Sequence, residues 1–255
     1  MMKNRFAILL IILISTATFS ITTLNDELTK LAKQGDKKAQ YDLGVIYSKG
    51  EGVSQNYEIA FKWYKKSAEQ GYKEAQYILG FMYDKGKGVK QSYQEAINWW
   101  KKSAEQGYSK AQYNLGVMYE QGEGVKKNHK EALKWYRLSA LQGNAEAQQF
   151  LGEVFSQGRV VEQNYKEAFK WYKKAAGQGL KEAQYNLGQM YYFGEGTIQD
   201  YVKAHMWFNI SVYMGQVKAS KNRDELSQKM TNEQIAIAQQ MAREWVENFE
   251  KKKKS

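Results

Sequence analysis

The stretch Ala39-Gln40-Tyr41-Asp42-Leu43-Gly44-Val45-Ile46-Tyr47, then Gly50-Glu51-Gly52-Val53, then Ala60-Phe61-Lys62-Trp63-Tyr64, closes on Gln70-Gly71. It recurs along the chain. Glycines stand at 35, 71, 107, 143, 179 and 215, a constant interval of 36 residues. Ala39, Ala75, Ala111, Ala147 and Ala183 keep step with them, as do the Leu-Gly pairs that begin at 43, 79, 115, 151 and 187. Trp63, Trp99, Trp135, Trp171 and Trp207 fall on one position of the same period. A period of this length, held without insertion, marks a stacked array of small structural units.

Within one unit, Ala39, Leu43, Ile46 and Tyr47 form one stripe of a helix, and Tyr57, Ala60, Trp63-Tyr64 and Ser67-Ala68 form a second. Between them, Gly50 and Gly52 allow the left-handed backbone of a helix end and turn. Asn56, Ser92, Asn128, Asn164 and Asp200 share one position, all favoured N-caps, and Glu95, Glu131 and Glu167 stand three residues on as capping boxes. Each unit therefore reads as an antiparallel helical hairpin. Gly44 and its equivalents sit inside the first helix, where glycine costs about 1 kcal/mol against alanine. Its repetition implies close approach of another backbone, with the Trp and Tyr rings filling the space between hairpins.

The unit Ala-Gln-Tyr-x-Leu-Gly-x-x-Tyr, Gly-x-Gly-Val, Ala-x-x-Trp-Tyr resembles the Sel-one-like repeat (SLR) family, relatives of the tetratricopeptide repeats. The resemblance covers 36–215 as five repeats (36–71, 72–107, 108–143, 144–179, 180–215). It implies an all-α solenoid of stacked antiparallel hairpins, an open right-handed superhelix. Residues 21–35 end Leu-Ala-Lys-Gln-Gly and read as an N-terminal capping helix. Residues 216–250 read as a helical cap opened by a capping box at Thr231-Asn232-Glu233-Gln234, with Lys251 to Lys254 inside a frayed basic tail, 251–255. The Met-Thr-x-Glu-Gln-Ile-Ala run resembles the C-terminal cap of bacterial members.

The first 20 residues have a different character. Lys3 and Arg5 precede nine apolar residues, Phe6 to Ile14, and then Ser15-Thr16-Ala17-Thr18-Phe19-Ser20. This is the order of a secretory signal peptide, too short for the roughly 20 apolar residues of a membrane span. Cleavage after Ser20, or after Ala17, predicts a periplasmic or secreted chain with no stable membrane span. The chain's formal charge of +11 then becomes +9, because Lys3 and Arg5 leave with the leader.

The 255 residues are 43% hydrophobic and 25% charged, enough apolar content for a packed protein. Proline is absent, which suits long helical stretches. Cysteine is absent too, which removes disulfides, thiolate metal sites and cysteine nucleophiles. No Ser-x-x-Lys occurs, so the serine–lysine chemistry of β-lactam enzymes, activities described for some cysteine-rich SLR proteins, has no carrier here. No His-Glu-x-x-His occurs, and His129 and His205 occupy positions held elsewhere by Tyr57 and Phe61. Glu195 beside Asp200 is one acidic pair that no pattern singles out. The sequence predicts no cofactor, no metal site, no catalytic residue and no nucleic-acid partner.

Function is then expected in a surface. The resemblance to tetratricopeptide arrays implies a concave groove lined by first helices, holding a protein or peptide partner of a monomeric scaffold, adaptor or host-interaction factor. The position of Tyr41 reads Tyr41, Tyr77, Tyr113, Gln149 and Tyr185; that of Val45 reads Val45, Phe81, Val117, Glu153 and Gln189. The candidate anchors are Tyr41, Tyr77, Ile78, Phe81, Tyr113 and Tyr185, with Tyr192 and Phe193 a second patch; packing within the array would equally account for the tyrosines. Two alternatives stand. One is an envelope enzyme or modulator acting on peptidoglycan or β-lactams. The other is binding of an anionic envelope component along basic rails at Lys65, Lys101, Arg137 and Lys173, and at Lys62, Lys134 and Lys170.

Overall fold

The computed structural model describes residues 26–254, so the leader reading of residues 1–20 lies outside the described residues. All regular structure among those residues is helical, with no strand. Helix α1 covers 26–33. Ten helices follow, two to each repeat of the sequence: α2 Lys37–Lys49 and α3 Tyr57–Glu69, α4 Lys73–Lys85 and α5 Tyr93–Glu105, α6 Ser109–Gln121 and α7 His129–Leu141, α8 Ala145–Gln157 and α9 Tyr165–Gly177, and α10 Lys181–Phe193 and α11 Tyr201–Tyr213; within a unit, α2 packs on α3, α4 on α5, α8 on α9 and α10 on α11. Two helices close the chain, α12 Lys218–Ser227 and α13 Asn232–Lys254. The chain divides into two compact units, one ending at Lys127 and one beginning at Asn128.

Each first helix ends as the glycines require. Gly50 has φ 78° and its N–H donates to the Ile46 carbonyl at 2.8 Å. A glutamine before the N-cap then ties the loop down: Gln55 Nε2 donates to the Ser48 carbonyl at 2.8 Å, and Gln91, Gln163 and Gln199 repeat the bond. Asn56, Ser92, Asn128, Asn164 and Asp200 all cap their helices through side-chain oxygens. The returning half of the capping box does not form at Ser92 and Asn164. Their backbone N–H groups are taken by the carbonyls of Tyr83 and Phe155 on the preceding helix, both at 2.9 Å. Glu167 turns instead to Lys170. The box at Thr231 is complete, with Gln234 Oε1 accepting from the Thr231 N–H at 3.0 Å and Thr231 Oγ1 from the Gln234 N–H at 3.2 Å.

The mid-helix glycines have a cause other than backbone approach. The ring of Tyr64 lies where a Cβ on Gly44 would be, 2.6 Å away, and Trp100, Tyr172 and Phe208 occupy the same space over Gly80, Gly152 and Gly188. The buried filler of the hairpin is thus the residue after the periodic tryptophan. Tyr64, Trp100, Tyr136, Tyr172 and Phe208 are at most 4% exposed, while Trp63, Trp135 and Trp171 are half-buried. The sequence-based placement of the tryptophan ladder in the core holds at Trp99 and Trp207, both buried, and is corrected by one residue at Trp63, Trp135 and Trp171.

Glutamine ties hairpin to hairpin. Gln40 Nε2 donates to the Ala32 carbonyl at 3.0 Å and its Oε1 accepts from Gln70 at 2.8 Å. Gln76 with Gln106 and Gln148 with Gln178 repeat the arrangement. The series stops at Met214, which stands where the next glutamine would be, and the buried Gln184 Oε1 has no partner. The second glycine of each loop allows the next contact. A Cβ on Gly88 would sit 2.2 Å from the Tyr57 carbonyl oxygen, and one on Gly196 2.1 Å from that of Tyr165. Repeat four breaks this rule with Val160, which holds φ 129°, a backbone that branched residues resist. Val160→Gly is expected to raise stability by about 1 kcal/mol, relief of strain less glycine's greater chain entropy. A denaturant midpoint that falls in this variant would show that Val160 is unstrained.

The C-terminal helix runs on through Lys254 where the sequence reading ended it at Glu250. Lys251 to Lys254 are exposed cations in its last turn, where they complement the helix dipole.

Candidate partner-binding surface

In the first unit the tyrosine ladder is half-buried rung by rung. The ring of Tyr41 lies 5.6 Å from Tyr64 and 5.3 Å from Tyr72, and Tyr77 lies 5.2 Å from Tyr108. Burial pushes the Tyr41 phenol above its ordinary pKa, with the Tyr72 and Glu74 charges adding to it. Tyr113 is half-buried at the same position. Tyr41 and Tyr77 are therefore braced by neighbouring rings and, like Tyr113, remain partly exposed. Ile78 packs on the cluster around Leu79 that also receives Tyr41 and Val45. Phe81 is half-buried one turn further on, with Lys87 Nζ 5.8 Å from its ring centre and 5.3 Å from that of Tyr57. Tyr41, Tyr77, Ile78, Phe81 and Tyr113 thus lie on first helices of one compact unit as partly exposed apolar groups.

In the second unit the position of Phe81 turns polar, as Glu153 and Gln189, while the tyrosine position reads Gln149 and Tyr185. Glu153, Ser156, Gln157, Asn186, Gln189 and Glu195 line a cleft of about 240 Å³ between α8 and α10. Gln149 Nε2 donates to Glu153 at 3.1 Å. Glu195 and Asp200 do not act as a pair. Burial raises the Asp200 carboxyl, but hydrogen bonds from the Lys203 backbone and side chain outweigh it and hold the group below its ordinary range, as the cap of α11. Tyr185 packs 5.9 Å from Phe208 and its hydroxyl accepts from Asn222 on α12 at 3.4 Å. Tyr192 is also engaged. It stacks on Tyr201 at 5.6 Å, meets Phe193 edge on at 4.8 Å, and accepts from Lys229 Nζ at 2.5 Å. Phe193 and Ile198, 61% and 87% exposed, remain the open apolar groups of that turn.

The basic rails are largely occupied by local contacts. Lys134 and Lys170 pair with Glu131 and Glu167, at 3.3 and 2.6 Å, and Lys65 lies 3.9 Å from Glu69. Lys101 and Arg137 sit over the rings of Tyr119 and Phe155. A further set that the sequence reading missed covers the tryptophans: Lys66 over Trp63, Lys102 over Trp99 and Lys174 over Trp171, at 4.2–4.6 Å. The i, i+3 spacing in the first, second and fourth repeats was the available signal. These cations cover indoles on the second helices, half-buried at Trp63 and Trp171 and buried at Trp99.

Among the described residues no three or more His, Cys, Asp or Glu side chains converge to hold a metal ion, and no helix is long and apolar enough to cross a membrane. His129 is exposed at the start of α7, and His205 is 2% exposed between α11 and α12.

The crystal structure of a Sel1 repeat protein from Oxalobacter formigenes superposes with a TM-score of 0.73 at 34% identity, over 78% of this chain and 57% of that one. The c5321 protein, a protective antigen of uropathogenic Escherichia coli strains displaying an SLR fold, is 30% identical over 88% of this chain and 64% of its own, with a TM-score of 0.48. The chain thus spans less than two thirds of the length of either. No curated protein matches the sequence. The Sel1 repeat profile matches five times in succession, at 37–72, 73–108, 109–144, 145–180 and 181–216. With five successive copies of this repeat, each a pair of helices, the chain belongs to the Sel1 repeat family.

Proposed function

We propose that the protein is a noncatalytic scaffold that binds a protein or peptide partner on the first-helix face of its N-terminal unit. The observation that carries this is the row of half-buried rings Tyr41, Tyr77 and Tyr113, the first two braced by neighbouring tyrosines, with Ile78 and Phe81 beside it. Rings held in one orientation lose little entropy on binding, which suits them as anchors. The neighbouring positions differ from repeat to repeat, as a surface selective for one partner requires. We also propose export, on the Lys3, Arg5 and Phe6–Ile14 pattern, so that the partner is a periplasmic or extracellular protein, a host protein among the possibilities.

The test uses mature protein, whose N-terminal sequence is expected to begin at Ile21 or Thr18. Crosslinked capture from envelope and extracellular fractions identifies the partner by mass spectrometry. Phe81→Ser and Tyr113→Ala are expected to weaken capture at least tenfold while melting stays within a few degrees of the parent. Loss of several kcal/mol of stability would assign these rings to packing alone. Unchanged binding would move the search to the lysines of the second helices. The same preparation is expected to leave muropeptides and a chromogenic β-lactam intact.

A further inference from the structure

Helix α12 repeats the opening of a sixth hairpin. Ala219 continues the buried alanine column one period beyond Ala183. At earlier interfaces a second helix meets the next first helix through two aromatic rings. Phe61 meets Tyr83 edge on at 5.5 Å, and Phe169 meets Tyr191 at 5.3 Å. Where α11 meets α12, those same two positions are His205 and Ser227. An apolar contact has become a titratable one.

Its hydrogen bonds close a ring. Ser227 Oγ donates to the Arg223 carbonyl at 2.9 Å, so the proton between His205 and Ser227 belongs to Nε2, which donates to Ser227 Oγ at 3.0 Å. Nδ1 then accepts from Asn209 Nδ2 at 3.0 Å, and Asn209 Oδ1 accepts from Arg223 Nη1 at 3.4 Å. Every donor meets an acceptor only while the imidazole is neutral. A proton on Nδ1 faces the Asn209 amide donor; turning the amide to receive it sets its NH₂ against the Arg223 guanidinium. Either arrangement leaves a buried group unpaired beside a second cation.

We propose that His205 is a pH-sensitive latch that docks α12 when neutral and releases it when protonated. Burial lowers the affinity of the ring for a proton, Arg223 lowers it further, and Asp224, itself paired with Arg223 at 2.7 Å, opposes them. The titratable groups from α10 in the same cluster are the phenols of Tyr185, Tyr191 and Tyr192. Helix α13 packs on α11 through the uncharged Ala238, Ala242 and Trp245, and its charged groups on that side, Arg243 and Glu247, line a cavity of about 430 Å³ with Asn209. The sign follows from linkage. Above the ordinary histidine value of 6.5 docked and undocked forms are both neutral, and docking is at full strength. As pH falls below it, the undocked form takes up a proton that the docked form refuses, and docking weakens. Release uncovers Ala204, Phe208 and Leu226, withdraws Asn222 from Tyr185 and Lys229 from Tyr192, and so bares the aromatic groups of the last repeat.

Amide hydrogen exchange and imidazole NMR on the intact protein test this, with exposed His129 as an internal reference. Protection of α12 amides, corrected for intrinsic exchange, is expected to fall up to about tenfold per pH unit below 6.5 while the core of α8 and α9 holds. The neutral His205 signal is expected to persist below the His129 transition. His205→Phe, which restores the residue type of the column, is expected to flatten the α12 profile. Should that variant not fold, the wild-type titration decides alone. Titration of His205 together with His129 without loss of α12 protection would overturn the latch, as would an unchanged pH profile in His205→Phe.

Discussion

Tyr172→Ala is expected to lower the unfolding free energy by about 3–5 kcal/mol, the range for deleting a buried aromatic side chain. Its neighbour Trp171→Ala is expected to lose less than half as much, although tryptophan is the larger residue. Tyr172 is 4% exposed, fills the space over Gly152 and places its hydroxyl 3.3 Å from Ser156 Oγ, and burial pushes its pKa up to about 12. Trp171 is half-buried, with Lys174 across its outer face at 4.5 Å. Denaturant melts followed by far-ultraviolet circular dichroism would measure both. Because repeats are held by their neighbours, the Tyr172 variant is expected to melt its unit early, giving a broadened or two-step transition. Equal losses at the two positions would place the tryptophan back in the core.

Gly80→Ala runs against helix propensity. In an exposed helix interior the substitution gains about 1 kcal/mol. Here the new Cβ would lie 2.5 Å from Cδ1 and Nε1 of Trp100, and that ring is held by its own hydrogen bond to the Tyr77 carbonyl at 3.0 Å. Neither helix can give way without loosening the other, so a net loss of about 1–3 kcal/mol is expected. Gly177→Ala is the control. It lies at the exposed end of α9 with nothing within 4 Å of an added Cβ, and the change there is expected to be neutral or stabilising. Two glycine-to-alanine changes of opposite sign would show that packing, not backbone entropy, retains the mid-helix glycine.

The hairpins were legible because their signals are local and repeated. A cap three residues from its N–H, a glycine with positive φ and a stripe spaced by one helical turn each involve neighbours in sequence. Five copies of each signal remove the ambiguity of one. The candidate surface was legible only as composition. Tyr77, Ile78 and Phe81 could be placed on one helix face, but their degree of exposure depends on Tyr108 and Lys87 from other elements. Tyr192 looked available in sequence and is engaged by Lys229, 37 residues away.

The sequence by itself determined the number of repeats, both helices of each, their caps and turns, and the family. In the first, third and fourth repeats tertiary structure decided which of two adjacent aromatics is the core. Trp63 and Tyr64 both border the apolar stripe, and only the way α3 lies on α2 turns Tyr64 onto Gly44. It also decided that Tyr83 and Phe155 carbonyls take the N–H groups of Ser92 and Asn164, that Gln184 Oε1 lacks the partner its equivalents have, and that His205 meets Ser227. In each case the groups lie on different helices, so sequence periodicity fixes the face each occupies while helix-on-helix packing fixes what it touches.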